Sequence, residues 1–303
     1  MKTINFHILT ITCLLAFLAS CNPNYDMKGM FDGSSIRVDK RFDESMKYNK
    51  QVGYTHWIVP ENYSVYVCTD THVDSTTRNI EQFVKLYKSD PQCRLALHLG
   101  DLVNANNYHD KFFKAASVEP EGYVRGKDTM LYTIGNHDLY FNQWESYKRY
   151  VPASTYWFDT QTADGKLLDL YICLDSGEGT LGVEQLNWLR QTLQTKSNER
   201  YRHIIVFTHT HMFKQDNSQG HSSNFSMEET YDITALLSKY HVDMYLSGHD
   251  HYREITHYGG VTYITVDTMQ DPVEHPYYMV VNMADNIDYH FYALPKNNNI
   301  VNH

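Results

Sequence analysis

Short apolar runs separated by polar, turn-forming stretches recur along this chain. Runs at residues 64–69, 95–98, 131–134, 168–174, 203–207, 242–246, 261–266 and 277–282 predict strands, several of them rich in β-branched and aromatic residues. Between them lie three stripes with helical period: Ile80, Phe83, Val84 and Tyr87; Val183, Leu186, Leu189 and Leu193; Ile233, Leu236, Leu237 and Tyr240. Such spacing gathers apolar side chains on one face, so each stripe predicts a helix packed on a core. Strands alternating with helices imply an α/β layered domain. The stretch 261–294 carries strands without helices, which predicts antiparallel pairing there and therefore mixed sheets. No linker interrupts the pattern between residues 63 and 294, so one domain is expected, bounded at 61–303.

The first residues break this pattern. Lys2 precedes an apolar run over 8–18, closed by Ala19, Ser20 and Cys21. A charged start, a short apolar core and small closing residues are the layout of a secretory signal, and the run is too short to span a bilayer. Leu18-Ala19-Ser20-Cys21 also resembles a bacterial lipobox, in which cleavage before the cysteine leaves Cys21 to carry lipid; an ordinary cleaved signal is the competing reading. Residues 1–20 are thus read as a lipoprotein signal peptide and 21–60 as a tether and N-terminal extension, the polar stretch 22–33 being the tether proper. The expected location is the bacterial cell envelope, periplasm-facing or at the cell surface, with Cys21 as the membrane attachment.

Composition removes some classes. With 303 residues, 42% hydrophobic and 20% charged, the chain is neither disordered nor fibrous and can bury a sizeable core. A formal charge of −10 disfavours nucleic acid and anionic surfaces as partners, so an anionic substrate would need local positive charge. The five cysteines contain no Cys-x-x-Cys pair: Cys13 leaves with the signal, and Cys68, Cys93 and Cys173 read as free thiols. A monomer is the favoured state.

Candidate chemistry lies at the ends of five predicted strands. Asp70-Thr71-His72 follows the first run, Gly100-Asp101 the second, Gly135-Asn136-His137-Asp138 the third, His209 the fifth and Gly248-His249-Asp250-His251 the sixth. Loops after strands line one edge of an α/β sheet, where side chains distant in sequence converge. Carboxylate, imidazole and amide oxygen suit Zn, Mn or Fe. Asp70 and His72 are two apart, as are His249 and His251, and on an extended strand end such pairs point the same way. Gly100, Gly135 and Gly248 permit tight turns. Each cluster alone is weak; all five in order, each after an apolar run, are hard to attribute to chance.

The order resembles the calcineurin-like metallophosphoesterase family, whose pattern is Asp-x-His, Gly-Asp, Gly-Asn-His-Asp/Glu, a lone His and Gly-His-x-His, matched here over about 65–251. The resemblance implies a four-layer α/β/β/α sandwich with two mixed β-sheets. It also implies two divalent or mixed-valence ions (Mn, Fe or Zn). Asp70, His72 and His251 would hold the first, Asn136, His209 and His249 the second, with Asp101 bridging and His137 beside the phosphate as a non-ligand. In Thr208-His209-Thr210-His211 the family ligand comes first, so His209 is taken, while His211 stands where the family often has proline and lines the pocket or fills structure. Ser/Thr protein phosphatases continue Gly-Asp-x-Val-Asp-Arg-Gly, whereas Leu102, Val103, Asn104 and Ala105 follow here. Purple acid phosphatases place a tyrosine ligand where Asn104 stands and glycine where His72 stands. Neither subfamily fits; the motifs look more like the small bacterial phosphodiesterase and phosphatase branches.

The implied reaction is hydrolysis of a small phosphorylated substrate. Two cations about 3.5–4 Å apart polarise phosphoryl oxygens and carry a bridging hydroxide that attacks phosphorus. His137 would assist by stabilising charge or protonating the leaving oxygen. Two divalent ions less Asp70, Asp101 and hydroxide leave about +1, the local attraction an acidic protein needs. Asp138 and Asp175 read equally as orienting groups and as turn or cap residues. Tyr140, Phe141 and Trp144 would stack on a nucleobase or pack a helix, and the polar segment 215–226, with His221, lies at the site mouth or is a solvated connection. Nothing selects monoester over diester. The alternatives are a nucleotide-specific phosphodiesterase or nucleotidase and a non-catalytic surface binding lipoprotein. A metallo-β-lactamase-type site would need His-x-His-x-Asp-His, which the sequence lacks.

Overall fold

The computed structural model describes residues 37–104, 108–119, 130–213, 224–271 and 273–295. The expected signal, Cys21 and the 22–33 tether lie outside the described residues, as do His221 and most of 215–226. In chain order the first elements are α1 (Val38–Val52), β1 (Thr55–Ile58), β2 (Tyr63–Cys68), α2 (Arg78–Ser89), β3 (Cys93–His98), α3 (His109–Ala115), β4 (Met130–Tyr132) and α4 (Trp144–Lys148). They are followed by β5 (Tyr156–Gln161), β6 (Leu167–Cys173), α5 (Gly182–Lys196), β7 (His203–Phe207), α6 (Met227–Lys239), β8 (Met244–Ser247), β9 (Glu254–Tyr258), β10 (Val261–Thr265), β11 (Tyr277–Met283) and β12 (Asp288–Ala293).

Two sheets face each other. One runs β1-β5-β6-β7-β8-β10-β9 and the other β12-β11-β2-β3-β4. Both are mixed: β2, β3 and β4 are parallel while β11 runs antiparallel to β2, and β6, β7, β8 and β10 are parallel while β9 runs antiparallel to β10. Strand alternation divides the side chains between layers. Val65, Val67, Leu95 and Leu97 point inward to meet Phe158, Tyr171, Phe207 and Leu246 between the sheets. On the outer face of the smaller sheet, Ala96 and Tyr132 pack with Phe83, Phe112 and Trp144 of α2, α3 and α4. On the outer face of the larger one, Ile172, Val206 and Tyr245 pack with Leu189 of α5 and Leu237 of α6. This is the four-layer α/β/β/α sandwich with two mixed sheets.

All eight expected strands are present. Four more, β1, β5, β9 and β12, have no long apolar run. Strands β9 and β12 are edges whose alternate residues face solvent, so half their positions are polar. The α5 stripe is rotated from the expected face: Val183 is 68% exposed, and Gln185 and Thr192 are buried beside Leu189 and Leu193. Helix α1 and strand β1 belong to the sandwich, although they precede the expected boundary at 61: β1 pairs in parallel with β5, and Asn49 of α1 donates to the Thr155 carbonyl. A boundary at 61 cuts through this sheet. Helix α1 escapes periodicity reading because its buried face carries Arg41, Ser45 and Asn49.

Candidate metal centre

The loops after β2, β3, β4, β7 and β8 meet at one edge of the sandwich and bring every expected site residue together. The backbone that does this is left-handed. Asp70, His72, Asp101, His249 and His251 have φ of 51°, 41°, 53°, 77° and 61°. Residues with side chains rarely hold that conformation, and such strain gathers at functional sites. The two-apart pairs therefore do not converge by strand alternation, as an extended strand end would have it; each residue turns off its strand on a sharp kink. Close approach explains the neighbouring glycines. A Cβ on Gly248 would run into Thr69 Oγ1 and Asp70 Oδ2, and one on Gly135 into the Asp101 carboxylate.

Among the described residues, three overlapping groups of potential ligand atoms result, one of which joins His137 to His72 and Asp101; the other two divide the expected ligands between them. In the first of those two, His72 Nε2 and His251 Nε2 are 3.0 Å apart and lie 3.6 and 3.4 Å from Asp70 Oδ1. In the second, His209 Nε2 lies 3.0 Å from His249 Nδ1, 3.1 Å from Asn136 Oδ1 and 3.4 Å from Asp101 Oδ2. Asp101 Oδ2 is also 3.6 Å from His72 Nε2, so one oxygen faces both groups. Asp70 divides its oxygens: Oδ2 accepts from Thr69 Oγ1 and the His249 amide, while buried Oδ1 has no hydrogen-bond donor. An unpartnered buried carboxylate oxygen facing two imidazole nitrogens costs free energy unless a cation lies among them. The donor set fits a borderline divalent ion in each group.

Electrostatics agree. Burial opposes charge on Asp70 and Asp101, yet the imidazoles of His251 and His72 around the first and of His209 and His137 around the second hold both below the usual carboxylate range. Burial lowers His209, but Asp101 and Asp70 outweigh it and push the ring up to about 9. His249 is pushed down to about 3, chiefly by burial and then by His209. The buried carboxylates thus draw positive charge inward, either as a proton on His209 or as a cation among the same atoms.

Supporting contacts fix these groups. His137 donates its amide to Asp101 Oδ1 at 2.8 Å; its Nδ1 meets the Asn104 carbonyl at 2.6 Å, and its ring stands edge-on to His72. Asp138 accepts from the Leu102 and Val103 amides with Oδ1 and from the Gly135 amide with Oδ2, clamping two site loops together. It is an orienting group as well as a turn residue. Asp175 takes a bidentate bond from Arg41 of α1, both side chains being fully buried. The next residue, Ser176, accepts from Thr208 Oγ1 and the Thr210 amide on either side of His209. Sequence reasoning does not find Arg41, which sits in a polar helix far from any motif.

The Tyr140 hydroxyl accepts from Asn136 Nδ2 at 2.8 Å, which turns the amide oxygen toward His209. Tyr140 stands four residues after Asn136, across the turn that the Leu139 amide closes on the Asn136 carbonyl. Trp144 is fully buried and donates to Glu44, so it packs. His211 stays out of both groups. It stacks on His249 and faces Asp250 at 3.5 Å.

The family model for calcineurin-like phosphoesterases matches residues 63–253, a span that contains all five loops. The chain belongs to this family of metal-dependent phosphoester hydrolases. No curated protein sequence matches it significantly. Among solved structures it is similar to a dimetal phosphatase from Danio rerio, with 10% identity over 77% of this chain and 97% of that one and a TM-score of 0.54. It is also similar to GAP50, the anchor in the inner membrane complex of Plasmodium, with 16% identity, 80% and 88% coverage and a TM-score of 0.54. The purple acid phosphatase PPD1 of yellow lupin gives 14% identity and a TM-score of 0.56 over 77% of this chain and 52% of that one, so the chain spans about half the lupin protein. At these identities the likeness is one of fold.

Proposed function

We propose that this protein is a dinuclear-metal phosphoric ester hydrolase, a phosphatase or phosphodiesterase. Asp70, His72, Asp101 and His251 hold one ion in this reading, and Asp101, Asn136, His209 and His249 the other. The observation that carries it is the single oxygen Asp101 Oδ2 facing His72 and His209, one from each group. Two divalent ions would supply charge for the phosphoryl oxygens and lower the pKa of water to near neutrality. Imidazoles and the Asn136 amide serve as ligands without adding negative charge that would repel the substrate. With Nδ1 of His137 committed to the Asn104 carbonyl, Nε2 is the nitrogen left for substrate. From there it hydrogen-bonds a phosphoryl oxygen or gives a proton to the leaving oxygen. The substrate is a small phosphate ester.

The test uses protein stripped of metal and reloaded with Mn, Zn or Fe, assayed on a chromogenic phosphodiester and the matching monoester. Metal-dependent release from either supports hydrolysis, and their ratio assigns diesterase or phosphatase. No release from any ester, with two ions bound, would leave the surface binding protein as the better reading. The same proposal puts the enzyme in the cell envelope, anchored by lipidated Cys21. Cys21→Ala should move it from the membrane to the soluble fraction, and persistent membrane association would count against the anchor.

A further inference from the structure

Between α2 and α3 the surface sinks into a groove of about 860 Å³ whose walls carry Lys85, Lys88, Lys111 and Lys114 and, among the described residues, one carboxylate, Glu81. Glu81 is engaged by the Thr77 hydroxyl at 2.7 Å, and buried Val84 forms part of the floor. Among the described residues, Lys85, Lys88 and Lys114 pair with no carboxylate. Some lysines elsewhere are compensated locally: Lys148 pairs with Glu145 and Lys196 with Glu199, each three residues away and at 2.9 Å. In the groove the three-residue spacing instead sets Lys85 beside Lys88 and Lys111 beside Lys114, like charges that weaken both helices. A chain of net charge −10 thus gathers four lysines around one concavity.

None of the candidate ligands lines the groove, but one end of it is tied to a loop of the candidate centre. Lys111 Nζ donates to the carbonyls of Asp74 and Ser75, in the loop that follows His72. From Thr77 it follows α2 to Ser89. Lysine ammonium groups are point charges on flexible stems, suited to phosphoryl groups of variable placement. A planar bilayer cannot follow an indentation, so the shape favours a molecule that enters it.

We propose that this groove binds a small soluble anion carrying several phosphoryl groups and, resting on the hydrolase reading above, extends the substrate site for esters with a second phosphoryl group. The full chain in EDTA, titrated with tripolyphosphate by calorimetry at low salt, should bind one equivalent. K85Q/K88Q/K114Q should weaken this about tenfold or more, with affinity falling as salt rises and with the thermal midpoint kept. No binding to the wild type, or equal binding by the variant, would overturn the proposal. Binding to phosphatidylglycerol vesicles but not to tripolyphosphate would overturn it too, reassigning the lysines to a membrane. In the metal-loaded protein the variant should lose kcat/KM for a bis-phosphorylated ester relative to its monophosphorylated counterpart. The calorimetric arm involves no turnover, so failure of the hydrolase reading leaves it intact.

Discussion

Asp101 separates the work of its two oxygens: Oδ1 takes the His137 amide and Oδ2 faces both imidazole groups. Replacing it with asparagine keeps size and one acceptor but removes the charge. Asp101→Asn should therefore weaken both ions together, read as metal per chain after dialysis; retention of two would sink the bridging role. His137 contributes its amide to that arrangement whatever its side chain, so His137→Ala should keep both ions. Its kcat should fall by about 10²–10⁴, the usual range for one acid–base group, and a wild-type rate would remove the ring from the reaction. The five site loops could be picked out from residue type and position because carboxylate and imidazole have few other reasons to recur after successive strands. The left-handed backbone at Asp70 and His72 could not, since no residue type there announces it.

The elements around the site are as specific as the ligands. The Arg41–Asp175 pair joins α1 to the loop after β6, and Ser176 passes the constraint to both neighbours of His209. Arg41→Met would strand a buried carboxylate, a change worth about 3–5 kcal/mol. Denaturant unfolding should show that loss, and a smaller one would mean that Asp175 finds another partner. Most strands were legible because they are buried on both faces and read as continuous apolar runs. Helix α1 was not, because the face that docks it is polar and meets polar partners: Ser45 reaches Ser154 and Asn49 the Thr155 carbonyl.

Across the molecule, binding of ions to the native centre alone links metal to stability. At about one hundred times its dissociation constant, an ion adds about 2.7 kcal/mol. Chelation should then lower the thermal midpoint by roughly 5–10 °C in a chain of this size, and Asp101→Asn should respond much less. An identical midpoint with and without chelator would argue against ions held by the folded centre.

The sequence by itself determined the layer order, most strands, the family and the set of residue types at the centre. The strands follow from periodicity and the residue types from the scarcity of reasons to place Asp, Asn and His after apolar runs, while the family and the layer order follow from the resemblance of the motif order. Tertiary structure decided the rest. It put Asp101 Oδ2 between two groups, gave Tyr140 to the Asn136 amide and drew α1 into the fold. These outcomes depend on distances between segments far apart in the chain, set by sheet order and by left-handed turns, and local pattern carries no record of them.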